Sequence, residues 1–472
     1  MDLRNSTLDF EVNAIASAGQ VATMFDYSAE LICGGKPVTP VKILGIDIVR
    51  DYRRAYLDEI VVECAFWAGD FLYDVLPYKS NISMVIYTTP VGEVSGADNL
   101  GLGIGSEYYK ATMLSPTDER MSSRFPQFTS REAANHTGVA RIKFQLQSPA
   151  AERIRLWSVG VPVLDQTPGD TLRGIFSAVS KAVNLQLTDK IKGVEMFPPN
   201  NQEKRKHILI PHGMKLHQVP HYIQNKCGGI YSAGLGFYLQ NLVWYIWPLY
   251  DLKRHAQARE SLTFIIISPN QLNSTEKTWR STEKQTIVLI TGGAQHLDNT
   301  EESFYNQGSG VRFTKASSVV SSPGVATDDN RFIVSRGDNN QEFNAIERGP
   351  NLINAQVSAR RVTDNLYRES SDLAARAGSY FEMSWQHSRP DLIKPDAAVK
   401  VMYADSEGLP IEVNGTLIET HTRVMPARQG TIDNRFYCVT KVVVFLEKDL
   451  PEAVEYFNSA PPDEYTSSAE LQ

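Results

Sequence analysis

The sequence predicts a mainly β, α+β fold. Three observations carry that expectation. Strand-like runs with a period of two, or short continuous apolar runs, occupy the first and last thirds of the chain. Helical spacing is concentrated in a middle block, about 152–254. The chain has 472 residues, 42% of them apolar and 21% charged, enough at about 100–200 residues per domain to bury several cores.

In the first block, residues 41–50 read as a strand through Ile43, Ile46 and Ile48. Ile60, Val62, Cys64 and Phe66 share one face of the next strand. Gly69-Asp70 breaks that run, and 71–76 predicts a short helical turn stopped by Pro77. Residues 81–89 and 139–147 predict two further strands. Between them, 91–137 is rich in Gly and Ser, shows no periodicity, and reads as a long functional or partner-ordered loop.

The middle block opens a helix at Thr167-Pro168-Gly169-Asp170, with Asp170 as the expected cap. Leu172, Ile175, Phe176, Val179 and Val183 supply its apolar face. Residues 214–227 predict a second helix, with Pro220 near its start and Gly228-Gly229 closing it. An aromatic run follows, 237–250.

The third block returns to strands at 262–268, 285–291, 399–404, 411–425 and 434–446, the last two forming a hairpin across 426–433. A polar stretch, 292–349, interrupts it, and 317–329 reads as a loop. Residues 355–377 predict a charged helix with Val357, Val362, Leu366 and Leu373 as a thin apolar stripe. After Asp449 the chain is acidic, contains Pro461-Pro462, and is expected to be weakly ordered.

The net charge of −7 is unevenly placed. Residues 447–472 hold seven acids (Glu447, Asp449, Glu452, Glu455, Asp463, Glu464, Glu470) against one base, Lys448. The rest is nearly neutral, a poor composition for gripping a phosphate backbone. The N-terminus lacks a basic region followed by an apolar stretch, and no apolar run approaches the ~20 residues that span a bilayer. Cys33, Cys64, Cys227 and Cys438 form no C-x-x-C pair and read as reduced thiols, with Cys64 and Cys438 inert in strands.

Chemical motifs are weak throughout. Gly101-Leu102-Gly103-Ile104-Gly105-Ser106 has phosphate-loop glycines but no following Lys-Ser/Thr, and reads as a flexible loop. Thr291-Gly292-Gly293-Ala294 follows a strand but opens no amphipathic helix. His217 and His221 are four apart, yet the intervening residues supply a proline and no glutamate, so a solvated or interface role is expected for the cluster His207, His212, His217 and His221. Asp58-Glu59 and Asp70 with Asp74 are carboxylate pairs that read as solvent-facing turns. The aromatic run reads as core or subunit-interface packing, and 203–207 (Glu-Lys-Arg-Lys-His) as a solvated loop. No G-x-S-x-G elbow is present. No catalytic residue, cofactor or metal is expected.

Three segments together resemble the baseplate hub proteins of contractile-tailed bacteriophages. They are 56–66 (Tyr-Leu-Asp-Glu-Ile-Val-Val-Glu-Cys-Ala-Phe) followed by Gly69-Asp70; Ile208-Leu209-Ile210-Pro211 leading to Gly228-Gly229-Ile230-Tyr231 and on to Trp247-Pro248-Leu249-Tyr250; and the closing hairpin 411–446. The match is of texture and order over about two thirds of the chain. The resemblance implies two tail-tube-like β domains, barrels or sandwiches, with α/β insertions. The expected division is 1–150 with its loop 91–137, an α/β insertion 151–255, a second tube-like domain 256–448 with an insertion at about 292–380, and an acidic tail 449–472.

It also implies a structural virion protein rather than an enzyme. Three copies would form a baseplate hub that adapts the hexameric tail tube to the trimeric central spike and lines the passage for genomic DNA. Implied partners are further copies of itself, the tail tube protein, the central spike protein and other baseplate proteins, with a tape measure protein as a further candidate. The place is the tail baseplate of a virion, after synthesis in the bacterial host cytoplasm, with no membrane anchor. The rival readings are a hub from a phage-derived contractile injection system and a tail-associated glycan hydrolase.

Overall fold

The computed structural model describes residues 12, 15, 24–91, 105–114, 138–183, 190–256, 260–267, 277–282, 284–297, 325–328, 331–338, 341–345, 365–375, 378–404, 409–427, 435–447 and 450. The fold is α+β and mainly β, as the alternation predicts, with most strands in one large mixed sheet.

The N-terminal strands are β1 (Met24–Cys33), β2 (Lys36–Val38), β3 (Lys42–Asp51), β4 (Glu59–Trp67), β5 (Ile82–Val91), β6 (Gly105–Met113) and β7 (Val139–Gln147). The cleanest alternation in the sequence becomes the cleanest strand. Along β7, Ala140, Ile142, Phe144 and Leu146 are buried while Val139, Arg141, Lys143 and Gln145 face outward. In β4, Ile60, Val62, Cys64 and Phe66 enter the same core.

The helical turn after β4 does not stop at Pro77. It runs as one turn Ala68–Asp70, a wide turn Phe71–Val75 and a tight turn Leu76–Tyr78 that contains the proline. A proline in the first turn forfeits only an N–H that has no intrahelical partner. Phe71 and Val75 drop into the core from this turn.

The loop expected at 91–137 contains a strand. β6 pairs antiparallel with both β5 and β7. Ala111 is its one fully buried side chain, so no alternation marks it in the sequence. Residues 92–104 and 115–137 of that stretch lie outside the described residues. β1 is a further strand beyond the predicted set, although its pattern is regular: Phe25, Tyr27, Ala29, Leu31 and Cys33 face the core in alternation with Asp26, Ser28 and Glu30.

The middle block holds α1 (Pro149–Leu156), β8 (Ser158–Gln166), α2 (Pro168–Ala182), β9 (Gly193–Met196), β10 (Arg205–Lys215), α3 (Val219–Lys226), β11 (Leu235–Gln240) and β12 (Val243–Pro248). β8 and β10 form a two-stranded ribbon, and β11, β12 and β9 a three-stranded sheet. The predicted face of α2 packs here: Leu172, Ile175, Phe176, Val179 and Val183 join Ile208, Ile210, Ile223, Phe237 and Trp244. The cap of α2 is Thr167, not Asp170. Thr167 Oγ1 accepts from the Asp170 backbone N–H at 3.1 Å and donates to Asp170 Oδ2 at 2.8 Å, with Pro168 at the first helical position. The helix expected at 214–227 is shorter than predicted. Met214 and Lys215 finish β10, Leu216–Gln218 is a tight turn, and α3 proper starts at Val219. Gly228 and Gly229, at φ +98° and +80°, end it as expected.

The third block contributes β13 (Ser261–Ile266), β14 (Trp279–Ser281), β15 (Gln285–Ile290), β16 (Ala294–His296), a separate meander of β17 (Val325–Asp328), β18 (Arg331–Asp338) and β19 (Gln341–Ala345), then α4 (Leu366–Ala374), β20 (Ser379–Trp385), β21 (Ala398–Ala404), β22 (Pro410–Pro426) and β23 (Arg435–Leu446). β13 runs parallel between β15 and β21 and is buried on both faces, which explains its continuous apolar sequence. Leu262, Phe264 and Ile266 enter the larger core, while Ile265 packs with Ile287, Leu289, Val12 and Ile15.

Val325–Asp328 is a strand where a loop is predicted, and residues 317–324 lie outside the described set. Of the helix expected at 355–377, the described part is α4. Leu366, expected on its apolar stripe, is 76% exposed. The segment is held by polar contacts instead: Asn365 Nδ2 donates to Gln224 O at 2.7 Å, and Gln224 Nε2 donates to Ser371 Oγ at 3.2 Å. Val357 and Val362 lie outside the described residues, as does the tail beyond Leu450.

Candidate functional site: a hairpin shared by two β units

β22 and β23 form the predicted hairpin and belong to two structures at once. One is a closed ring of eight strands, in the order β22-β3-β4-β7-β6-β5-β1-β23 and back to β22, antiparallel at every contact. The other is an open sheet, β14-β15-β13-β21-β22-β23-β20-β16. The change of partner lies within single strands. β22 pairs with β21 from Pro410 to Thr416, has a bulge between Leu417 and Glu419, and then pairs with β3 from Glu419 to Val424. β23 pairs with β20 from Thr440 to Leu446 and with β1 at Arg435 and Phe436. A bulge bends and twists a strand locally, as a turn from ring to open sheet requires.

The hairpin interior changes chemistry at the same level. Val424, Phe436 and Cys438 lie in the ring core, and Leu417, Ile418, Val442 and Val444 in the core of the open sheet. Between them stand Thr420, Thr422 and Thr440, all buried. Thr440 Oγ1 is 2.9 Å from Thr422 Oγ1 and 2.7 Å from Ser388 Oγ, a chain of hydroxyls bridging the two cores.

An ion pair extends this polar layer. Arg50, paired with Thr420 in register, donates from Nε to Asp58 Oδ2 at 3.1 Å and from Nη1 to the Pro390 carbonyl at 3.2 Å. Burial opposes the Arg50 charge, and the Asp58 carboxylate overrides this and holds its pKa above the ordinary value. Tyr52 and Tyr238 pack edge-on at 4.9 Å beside it. Burial pushes the Tyr52 phenol up to about 12. The cluster thus joins residues from the first block (Arg50, Tyr52, Asp58), the middle block (Tyr238) and the third (Pro390, Thr420). Asp58, expected to face solvent, is a half-buried member of this joint. Its partner could have been suspected from an arginine placed among apolar residues in the preceding strand. Tyr238, 180 positions away, leaves no local signal.

Two further arginines tie the parts together. Arg254 ends the middle block and donates to Asp396 O at 2.8 Å, Ala397 O at 3.3 Å and Thr416 Oγ1 at 3.2 Å. Burial lowers its pKa to about 10. Arg389, 1% exposed, forks onto Asp391 at 3.2 and 2.6 Å and lies 4.7 Å over the Trp279 ring.

The other candidates separate. Gly105 and Ser106 open β6, and 101–104 lie outside the described residues. Gly293, at φ +73°, turns the chain from β15 into β16. His207 and His212 sit exposed on β10, whereas His217 stacks on Tyr56 and His221 meets Phe237 edge-on, both at 5.2 Å. Desolvation by these aromatic neighbours lowers the pKa of half-buried His217 and of His221. Asp74 is exposed and Asp70 half-buried on the turn after β4. Tyr238, Trp244, Tyr245 and Trp247 are buried, so the aromatic run is core. Arg205, Lys206 and His207 begin β10 rather than lying in a loop. Among the described residues, no group of three or more His, Cys, Asp and Glu side chains could hold a metal ion, and no helix is long and apolar enough to cross a membrane.

No family model matches this sequence, and no curated protein matches it. Solved structures are similar in fold. A tail protein from Neisseria meningitidis MC58 is 13% identical, with TM-score 0.41, over 92% of this chain and 100% of its own. The 43 kDa tail protein of prophage MuSo2 from Shewanella oneidensis is 11% identical, with TM-score 0.42, over 89% and 98%. An Escherichia coli component of the type VI secretion system, described as structurally similar to T4 bacteriophage tail proteins gp27 and gp5, is 8% identical, with TM-score 0.39, over 88% and 76%. Each is a likeness of fold alone.

Proposed function

We propose that the chain is a structural virion protein of a phage tail: a homotrimeric baseplate hub that adapts the hexameric tail tube to the trimeric central spike and leaves a passage for DNA. The observation that carries this reading is the hairpin common to the ring and the open sheet. Strands that belong to both units couple them into one stiff body, a suitable build for a collar set between two differently shaped neighbours. The order of strand block, α/β insertion and strand block accords with the resemblance of 56–66, 208–250 and 411–446 to hub proteins. We read the chain as domains 1–150, 151–255 and 256–448, with the hairpin completing the first as well as the third.

The outward face of the ring suits passive contact. Several of its charges pair across strands: Glu63 with Lys143 at 3.8 Å and Asp47 with Arg423 at 3.1 Å, as does Glu382 with Lys441 at 2.9 Å on the neighbouring open sheet. Paired charges offer little grip on a polyanion. The chain performs no catalysis in this reading.

Native mass spectrometry of the purified chain with tube and spike proteins, and imaging of particles carrying a tagged copy, test the proposal. Three copies at the tube–spike junction are expected. A chain that stays monomeric with both partners present overturns it. So does turnover of peptidoglycan that a carboxylate substitution abolishes.

A further inference from the structure

The ribbon of β8 and β10 presents an apolar face to solvent. Its inner face packs on the middle-block core through Ile208 and Ile210, with Val159, Val161 and Val163 partly buried against it. On the outer face Leu164 stands opposite His207 and Pro162 opposite Leu209, and Pro211 follows along β10. Leu164 and Leu209 are 60% and 62% exposed, and both prolines are exposed. A contiguous exposed apolar strip of this kind marks a contact surface rather than ordinary solvent-facing sheet.

Among the described residues β8 and β10 pair only with each other, so each has a free backbone edge. The two edges are not equal. Pro162 sits in the middle of β8, and a proline within a ladder turns its missing N–H toward the open edge. β10 runs through 205–210 without a proline, up to the irregular stretch between Ile210 and Met214. Its edge is the one that can template a further strand.

Charge decides what that strand carries. Lys204 and Lys206 are exposed at one end of β10. Lys215 ends it at the other, where its Nζ donates to Leu156 O at 3.4 Å and Arg155 is exposed beside it in sequence. Of the nearby acids, Glu203 is paired with Arg205 at 2.9 Å and Glu152 with Lys110 at 2.6 Å, and Asp165 lies on the ribbon itself. Bases thus flank an apolar centre along a ribbon whose nine-residue strand β8 spans about 26 Å. A second copy of the ribbon does not complement this layout. Two β10 strands paired antiparallel about their middles would bring Lys204 of each copy toward Lys215 of the other, like charge beside like. We infer that β10 receives an extended segment of another protein, about eight residues long, with carboxylates at both ends and apolar side chains at alternate positions between them. Its backbone pairs with 205–210, its end carboxylates meet Lys204, Lys206 and Lys215, and its apolar side chains lie beside Leu209. The inference goes beyond the hub reading and holds or fails without it.

The probe is a fluorescent synthetic peptide of about ten residues, with glutamates at both ends and alternating valine and threonine between, titrated with the full chain and read by anisotropy. Saturable binding at micromolar concentration is expected. It should weaken about tenfold in 1 M salt, where the Debye length is ~3 Å. Lys204→Glu with Lys206→Glu, and separately Leu209→Ser, should each weaken it about tenfold. Both leave the urea midpoint in place, because these side chains are exposed. Hydrogen exchange with the peptide bound should show new protection at amides within 205–210. The inference is overturned by no binding up to millimolar peptide, by equal binding of the same peptide with lysine in place of glutamate, by an affinity indifferent to both variants, or by protection confined to other segments. It is equally overturned if a DNA duplex displaces the peptide from the chain. The same holds if amides 205–210 of the chain alone gain protection as its own concentration rises, since a second copy would then fill the edge.

Discussion

Replacing Asp58 by alanine leaves the Arg50 guanidinium buried beside Tyr52 and Tyr238 without its carboxylate. A buried charge stripped of its partner costs about 3–5 kcal/mol. Asp58→Ala should therefore lower the urea midpoint strongly, far more than Glu59→Ala next to it, which sits exposed at the start of β4. Thr440→Val leaves Ser388 and Thr422 without their shared hydroxyl and should cost about 1–3 kcal/mol by the same measurement. Thr167→Ala removes the cap of α2, at about 1 kcal/mol. The thiols follow burial: Cys33, Cys64 and Cys438 are enclosed and Cys227 is half-buried. An aromatic disulfide reagent should label Cys227 first and the other three only on unfolding. At this scale the sequence misled where one residue type serves two purposes. An aspartate before a strand reads as a turn, and only the packing of Tyr238 and Pro390 around its arginine makes it part of a joint.

Elements were legible where one face is wet and the other dry. β7 and β4 announce themselves by alternation, and β13 by the unbroken apolar run of a strand covered on both sides. β6 was not legible, since its inward side chains, Tyr109, Ala111 and Met113, are only partly apolar or small and exposed Tyr108 lies beside them, so only its neighbours β5 and β7 make it a strand. The hairpin was legible as a hairpin but not as a shared one, because each of its strands looks the same whichever sheet lies beside it. Its sharing has a measurable consequence. Phe144→Ala in the ring core and Phe381→Ala in the open-sheet core should each cost about 3–5 kcal/mol. Both should shift one common unfolding transition without splitting it. Two separable transitions in urea would show that the shared strands do not couple the cores.

For the whole molecule, stability should peak near neutral pH. Burial raises the Cys33 thiol to about 11 and the Cys438 thiol to about 12. In the unfolded chain these groups ionise near 8.5, so their contribution is complete below that pH and is lost as pH rises toward 11–12. Each fully buried group adds a slope of up to about 1.4 kcal/mol per pH unit. On the acid side, desolvation lowers the pKa of His217, His221 and His255. The unfolded chain then takes up protons below about 6.5 that the folded chain refuses, so this contribution is present above 6.5 and is lost as pH falls through that value. Urea titrations from pH 5 to pH 10.5 should trace a plateau with two falling shoulders. The order of strand block, insertion and strand block could be read at this scale from texture. Closure of the first ring by the last strands could not, because Phe25 meets Phe436, 411 positions away, and no local pattern records the meeting.

That closure sets a timetable for synthesis. Strands β1 to β7 leave the ribosome first, yet β1 and β3 keep one edge open until β23 and β22 arrive about 300 residues later. At ~5–20 residues per second, that delay is some tens of seconds. During it the nascent chain carries an unfinished ring with a greasy interior, a target for chaperones and a seed for aggregation. A premature stop anywhere before residue 410 should therefore yield insoluble product rather than a smaller soluble unit. Supplying the hairpin as a separate co-expressed peptide should recover part of the soluble yield.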